Sequence, residues 1–178
     1  MGNWQLDPYH TQIEFSAKHL GMMTVRGYFD EVSAVADIDP DHPEAASVEV
    51  TISTASIRTN NATRDNDIRS SNFLEVDKYP VITFKSTSVE PAGADRYTLT
   101  GDLTIKGTTQ PVTVEFESTG SARDPFGNLR IGFEGGTSIN RKDWGLTWNA
   151  ALETGGVLVS EKIKLEFDIS AIQNAQEA

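Results

Sequence analysis

Apolar and polar residues alternate with a period of two along most of this chain, the mark of strands that bury one face. Ile13, Phe15 and Ala17 share one phase against Glu14, Ser16 and Lys18, and Met23, Val25, Gly27 and Phe29 form a second set. Val48, Val50 and Ile52 alternate with Glu49, Thr51 and Ser53. The pattern returns at Ile82 and Phe84, at Tyr97, Leu99 and Leu103, at Val112, Val114 and Phe116, and at Ile131 and Phe133. Its last occurrence sets Ile163, Leu165, Phe167 and Ile169 against Lys162, Lys164, Glu166 and Asp168.

Turn chemistry separates the runs: Asp39 to Pro43, Glu90 to Asp95, Lys106 to Thr109, Asp124 to Asn128 and Gly155-Gly156 all read as connections. Strands at this spacing predict a sandwich or a closed barrel rather than βαβ units, and closure removes the edges that invite aggregation. Asn61 to Asn72 departs from the pattern, with Ala62, Arg64, Asp65, Ile68 and Arg69 at spacings that suit a short helix capped by Asn60 or Asn61. It reads as one helical excursion beside a barrel opening, with Phe73 and Leu74 packed on the barrel. There is no internal repeat and no low-complexity tract, so one domain over residues 1–178 is expected. Two further segments, Leu20-Gly21-Met22-Met23 and Trp144-Gly145-Leu146-Thr147-Trp148, are too apolar for plain loops and are either core or a binding surface.

Composition sharpens this picture. A chain of 178 residues is long enough to wrap a cavity, and a hydrophobic share of 38% suits strands that show one face to water. The formal charge of -11 repels phosphate backbones and anionic bilayers, which argues against nucleic acid as a partner and leaves a neutral ligand compatible. The absence of cysteine excludes disulfides and thiolate sites. No apolar run is long enough to cross a bilayer, so stable membrane insertion is not expected. Met1 to Asp7 lacks the basic and apolar parts of an export leader; the expected location is cytoplasmic as the chain stands, and periplasmic if a leader has been removed.

Candidate chemistry is sparse. Of the three histidines, His42 lies between prolines in a turn and His10 precedes the first long strand, whereas His19 shares the inward phase of Phe15 and Ala17. The favoured reading of His19 is a hydrogen-bonded interior histidine; the sharper one is a polar contact for a ligand head group. No pair of histidines has metal-ligand spacing, so no metal is expected. There is no Gly-x-Ser-x-Gly turn, no sheltered carboxylate pair and no glycine-rich phosphate loop, so no catalytic residues are assigned. Arg64 and Arg141 read first as members of an ion pair or as loop anchors on backbone carbonyls, and second as groups near a barrel mouth.

Taken in order, the motifs Trp4-x-Leu6-Asp7-x-x-His10-Thr11-x-Ile13-x-Phe15, Lys18-His19-Leu20-Gly21 and Val25-x-Gly27-x-Phe29 become specific together. So do Ser56-Ile57-x-Thr59-Asn60 with Arg64-Asp65 and Ser71-x-Phe73, then Lys78-Tyr79-Pro80-x-Ile82-Thr83-Phe84-x-Ser86. Gly101-x-Leu103-Thr104-Ile105-x-Gly107-x-Thr109 and Ile139-Asn140-Arg141-x-Asp143-Trp144-Gly145-Leu146 complete the set. Along nearly its whole length the chain resembles the YceI-like family of polyisoprenoid-binding proteins. Thr11 stands where Ser is more usual and Trp144 where Phe is common. The resemblance implies an all-β fold, an extended antiparallel lipocalin-like β-barrel with one short helical excursion. It also implies a long isoprenoid or similar lipid in the interior, a homodimer and no enzymatic activity.

The expected ligand wall is Phe15, Phe29, Ile82, Phe84, Leu99, Leu103, Val114, Phe116, Phe133 and Phe167, with His19 as a polar contact and Trp144 and Trp148 near an entrance. The chain is thus expected to carry or store a long-chain amphiphile of the polyisoprenoid, isoprenoid quinone or fatty-amide type, with no other cofactor. Two other readings stand beside this one. The first is a stress-related barrel filled by its own side chains, whose apolar loops bind a protein; the second, resting only on His19 and the arginines, is an isomerase or hydrolase of lipid-like substrates.

Overall fold

The alternating segments do form strands, and a computed structural model describes residues 3–39 and 41–174. The strands in chain order are β1 (Trp4–Leu6), β2 (Gln12–His19), β3 (Met23–Phe29), β4 (Val32–Asp37), β5 (Ser47–Ser53) and β6 (Ile57–Arg58). After the helix α1 (Ala62–Arg69) follow β7 (Val81–Gly93), β8 (Arg96–Ile105), β9 (Thr108–Arg123), β10 (Leu129–Asn140) and β11 (Lys162–Gln173). Every pairing is antiparallel, and the ring β1-β4-β5-β7-β8-β9-β10-β11 closes through a β1–β11 pairing in which Trp4 faces Gln173. The fold is an eight-strand closed antiparallel barrel with one helix.

Three of the eight staves are broken in two. β1 and β2 lie along the same side of β11, β1 against residues 171–173 and β2 against residues 164–168. In the same way β3 and β4 pair with β2 and β1, and β6 continues β5 alongside β3. The first break is chemically explicit. Asp7 caps a short 3-10 helix, Pro8–His10, by accepting from the Tyr9 amide at 3.0 Å and holding His10 Nδ1 at 2.7 Å. Its own amide donates to the Ser170 carbonyl at 2.8 Å, which pins the break to β11. The Asp7 and His10 of the first motif are therefore structural.

Three sequence expectations need correction. β1 and β4 were not foreseen as strands: β1 is only three residues long, and the inward set of β4, Val32, Ala34 and Ala36, is mostly alanine. The connection expected over Glu90 to Asp95 is mostly strand, because β7 runs on to Gly93 with Pro91 facing Tyr97, and the turn shrinks to Ala94 and Asp95. The helix ends at Arg69, earlier than Asn72, and its cap is Asn61, whose side chain accepts from the Arg64 amide at 3.0 Å. In the turn expected from Asp39 to Pro43, Pro40 lies outside the described residues.

The tightly packed part of the interior is confined to the end of the barrel that carries α1. There Ile57, Leu74, Ile82, Leu103, Ile105, Trp144 and Leu146 form one buried cluster. α1 itself is polar and is held by polar bonds. Arg69 reaches back to the carbonyls of Ala55 (3.0 Å) and Ile57 (2.8 Å), and buried Asp65 accepts from the Thr59 amide at 2.8 Å. Arg64 completes the seat by donating to Thr59 Oγ1 and to the Thr59 carbonyl, both at 2.8 Å.

Candidate functional site: an apolar barrel cavity

Away from that cluster, the inward side chains do not meet. They line a cavity of about 1060 Å³ that draws residues from every strand of the ring and from both ends of the barrel. That is at the upper limit of ordinary small-molecule pockets, which run to roughly 1,000 Å³. Along β11 alone Ile163, Leu165, Phe167, Ile169 and Ala171 all face it, a stretch of about 26 Å at the usual strand rise. Proteins otherwise pack their interiors nearly as densely as organic crystals, so an apolar void of this size is a built feature.

Two close approaches help keep it open. On β3, Gly27 faces Phe15 of β2, and a Cβ added at Gly27 would stand 2.3 Å from the Phe15 ring. On β8, a Cβ at Gly101 would stand 2.4 Å from the Phe84 ring. At both positions the phenylalanine ring occupies the space that a side chain on the glycine would take.

Of the expected wall, Phe15, Phe29, Ile82, Phe84, Leu99, Leu103, Val114, Phe116, Phe133 and Phe167 all line the cavity, and so do His19 and Trp148. Trp144 does not. It is 3% exposed inside the helix-end cluster, and its indole N–H donates to the Leu103 carbonyl at 2.9 Å. Its placement near an entrance is therefore corrected: a tryptophan that finds an acceptor in the wall has no reason to stay at the rim. His19 is half-buried and its ring makes no hydrogen bond among the described residues, so it is not the satisfied interior histidine that was favoured. It stands where its backbone bridges to Val159.

Residues missed at the sequence level include Trp4, Leu6, Val32, Ala34, Ala36 and Ile38, all lining the cavity from β1, from β4 and from just beyond it. The alternation of Trp4 with Leu6 and of Val32 with Ala34 and Ala36 was the available signal.

The charged groups that touch the cavity are mostly occupied. Arg141, 4% exposed, donates to the carbonyls of Leu146 (2.6 Å), Trp148 (2.9 Å), Ser160 (2.9 Å) and Val159 (3.4 Å). Burial pushes its guanidinium pKa down, with the Glu161 carboxylate pulling the other way. It ties the long connection between β10 and β11 over the barrel end, which is the anchoring role. Its guanidinium also lies 5.9 Å from the Phe73 ring centre, and Phe73 meets Trp148 edge-on at 5.4 Å. Met22 and Met23 are 72% and 52% exposed, so the first apolar segment is surface, while Trp144 and Leu146 of the second are core.

Among the described residues no group of side chains is placed to hold a metal ion. What the arrangement can do is exclude water from a long apolar molecule. The family model of the YceI-like domain matches residues 4–171. The chain belongs to the YceI-like family. Among curated relatives of this YceI-like chain, a UPF0312 protein of Azotobacter vinelandii is 41% identical over 137 residues, covering 77% of this chain and 71% of that protein. A crystal structure of the Campylobacter jejuni YceI protein superposes with a TM-score of 0.76 at 32% identity, over 89% of this chain and 90% of that one. A polyisoprenoid-binding domain from Saccharophagus degradans, implicated in plant cell wall breakdown, shares the fold with a TM-score of 0.74 at 15% identity. The alignment to it covers 98% of this chain and 100% of the domain. The YceI-like barrel is thus shared well beyond recognisable sequence.

Proposed function

We propose that this chain takes up a long-chain apolar or amphiphilic molecule in the barrel cavity and carries or stores it without chemical change. One observation supports the reading most: about 1060 Å³ of space with a mainly aliphatic and aromatic wall. Removing apolar surface from water contributes about 25 cal/mol per Å², or roughly 0.8 kcal/mol for each methylene buried. A chain of many methylene and methyl groups therefore has a large gross drive to enter, part of which is offset by its own ordering. Such a wall selects length and girth more than functional groups. Polyisoprenoids, isoprenoid quinones and fatty amides fit that class, and a fold neighbour is described as polyisoprenoid-binding. A protein-docking barrel filled by its own side chains loses its premise, because the interior is not filled.

Native mass spectrometry of gently purified protein tests this. A retained neutral lipid, released by organic solvent, is the expected result. Only the bare mass, together with no uptake of added long-chain prenyl or acyl probes, overturns the proposal.

A further inference from the structure

At the helix end the cavity wall passes into an exposed apolar rim. Met22 and Met23, both exposed, sit at the turn between β2 and β3, which the Met22 amide closes by donating to the His19 carbonyl at 3.1 Å. Residues 158–160 run alongside the end of β2: the Leu20 amide donates to the Leu158 carbonyl and the Ser160 amide to that of Lys18, both at 3.0 Å. This brings Val157, 45% exposed, next to the turn that carries the methionines. Half-buried His19, Leu158 and Val159, the chain neighbours of these exposed residues, line the cavity, and so do exposed Lys18, Asn61 and Thr63. The exposed rings at the other end of the barrel, Tyr9 and Phe126, differ: they lie in residues 7–12 and 119–130, none of which lines the cavity. The β2–β3 tip is also free of acid. From Phe15 to Phe29 the chain has Lys18 and Arg26 and no carboxylate, in a protein with 26 acidic residues. Lys18 Nζ donates to Thr24 Oγ1 at 2.6 Å, and the exposed Arg26 has its one ion pair among the described residues, to Glu14, at 3.5 Å. Between Trp144 and Ser160 the only acid is Glu153, and Glu161 just beyond is paired with Lys142 at 2.6 Å.

We propose that this rim, Met22, Met23 and Val157 flanked by Lys18 and Arg26, docks reversibly on a phospholipid bilayer, and that the cavity loads and unloads through it. The inference rests on the cavity holding a lipid and adds where that lipid comes from. A molecule apolar enough to fill the cavity dissolves poorly in water, and contact lets it pass from one apolar phase to another without exposing its surface on the way. Exposed apolar side chains at the rim enter the interface between headgroups and acyl chains, while the two cations meet lipid phosphates. The rest of the surface carries the charge of -11 and is repelled by those phosphates, so the tip approaches first. So small an apolar contact holds the protein only briefly, which a carrier needs in order to leave again.

The test loads the protein with a fluorescent polyprenyl probe from ethanol and follows release of the probe to phosphatidylcholine vesicles. Docking makes the release rate constant rise in proportion to vesicle concentration, whereas passage through water leaves it constant. The double variant Met22→Ser, Met23→Ser slows release by about tenfold. It leaves the amount of probe taken up from ethanol unchanged, since neither methionine lines the cavity. Should that variant fail to fold, the dependence of the wild-type rate on vesicle concentration still decides. A wild-type rate that ignores vesicle concentration, or a folded double variant that releases at the wild-type rate, overturns the inference and leaves the container reading standing. A double variant that dissociates a dimer without changing the release rate assigns the rim to a second copy of the chain and overturns it as well. Failure to take up the probe at all removes the container reading, and this inference with it.

Discussion

Replacing Ala34 by Phe asks directly whether the interior is hollow. Ala34 sits mid-strand on β4, faces Val50 of β5 and points into the lumen. In a close-packed core, adding a benzyl group forces neighbours off their rotamers at a cost of about 1–3 kcal/mol or more. With about 1060 Å³ of free volume beside it, the ring has room. Burying roughly 100 Å² of additional apolar surface at about 25 cal/mol per Å² sets a ceiling near 2.5 kcal/mol of stabilisation, and the ring remains only partly enclosed. The expected outcome for ligand-free protein is therefore unchanged stability, or a gain of about 1–2 kcal/mol, which for a chain of this size raises Tm by about 2–8 °C. Gly27→Ala is the paired control. It adds only a methyl, but that methyl would stand 2.3 Å from the Phe15 ring and 2.9 Å from Thr59. It should cost about 1–3 kcal/mol. Urea unfolding of the delipidated variants reads both, and a long-chain probe reads the lumen, which Ala34→Phe should partly obstruct. A loss of about 2 kcal/mol or more in Ala34→Phe, matching what a filled core shows, would refute the reasoning.

Three other outcomes follow from the bonds described. Burial on its own would raise the pKa of the Asp7 carboxyl, but bonds from Arg130, His10 and the Tyr9 amide outweigh it and hold it below its ordinary value of 3.8; the stabilisation it supplies is therefore complete above that value and lost as pH falls below it. Asp7→Asn should cost about 1.5–3 kcal/mol at neutral pH and show a shallower loss of urea resistance on acidification than the wild type, and parallel acid limbs would contradict this. Arg141→Met leaves the carbonyls of Leu146, Trp148 and Ser160 without their donor, while that of Val159 keeps its bond from Asn149, and should destabilise by about 2–4 kcal/mol, with Arg141→Lys rescuing little because one ammonium cannot reach the positions a planar fork serves; hydrogen exchange across residues 146–160 should rise first. Trp144→Phe should cost about 1 kcal/mol for the lost bond to Leu103 and leave probe uptake unchanged, and altered uptake would return Trp144 to the binding site.

How much of this could be read from the chain depended on periodicity. Where strands were long and alternated bulky with polar residues, as in Val112 to Phe116 or Ile163 to Ile169, the inward set was legible and lines the cavity. β4 escaped because alanine carries little apolar signal, and β1 because three residues show scarcely one period. Pro91 and Gly93 read as a turn although the strand pairing continues through them. The placement of Trp144 was not legible for a different reason: between β10 and β11 the chain is irregular, so no phase tells an aromatic residue which way to face. Periodicity also shows which side chains point inward without saying whether they meet across the barrel. That depends on ring radius and on where glycines leave room for rings, both of which are properties of the assembled sheet.

The seam that closes the barrel joins the first strand to the last, Trp4 to Gln173. During synthesis the ring therefore cannot shut until β11 has left the ribosome. Until then β10 and β2, the long neighbours of β11, wait with unpaired backbone and half of a greasy trough exposed. Chains that stop short of β11 should be captured by chaperones or precipitate, so the lumen comes into being only with the last step of the barrel's own folding.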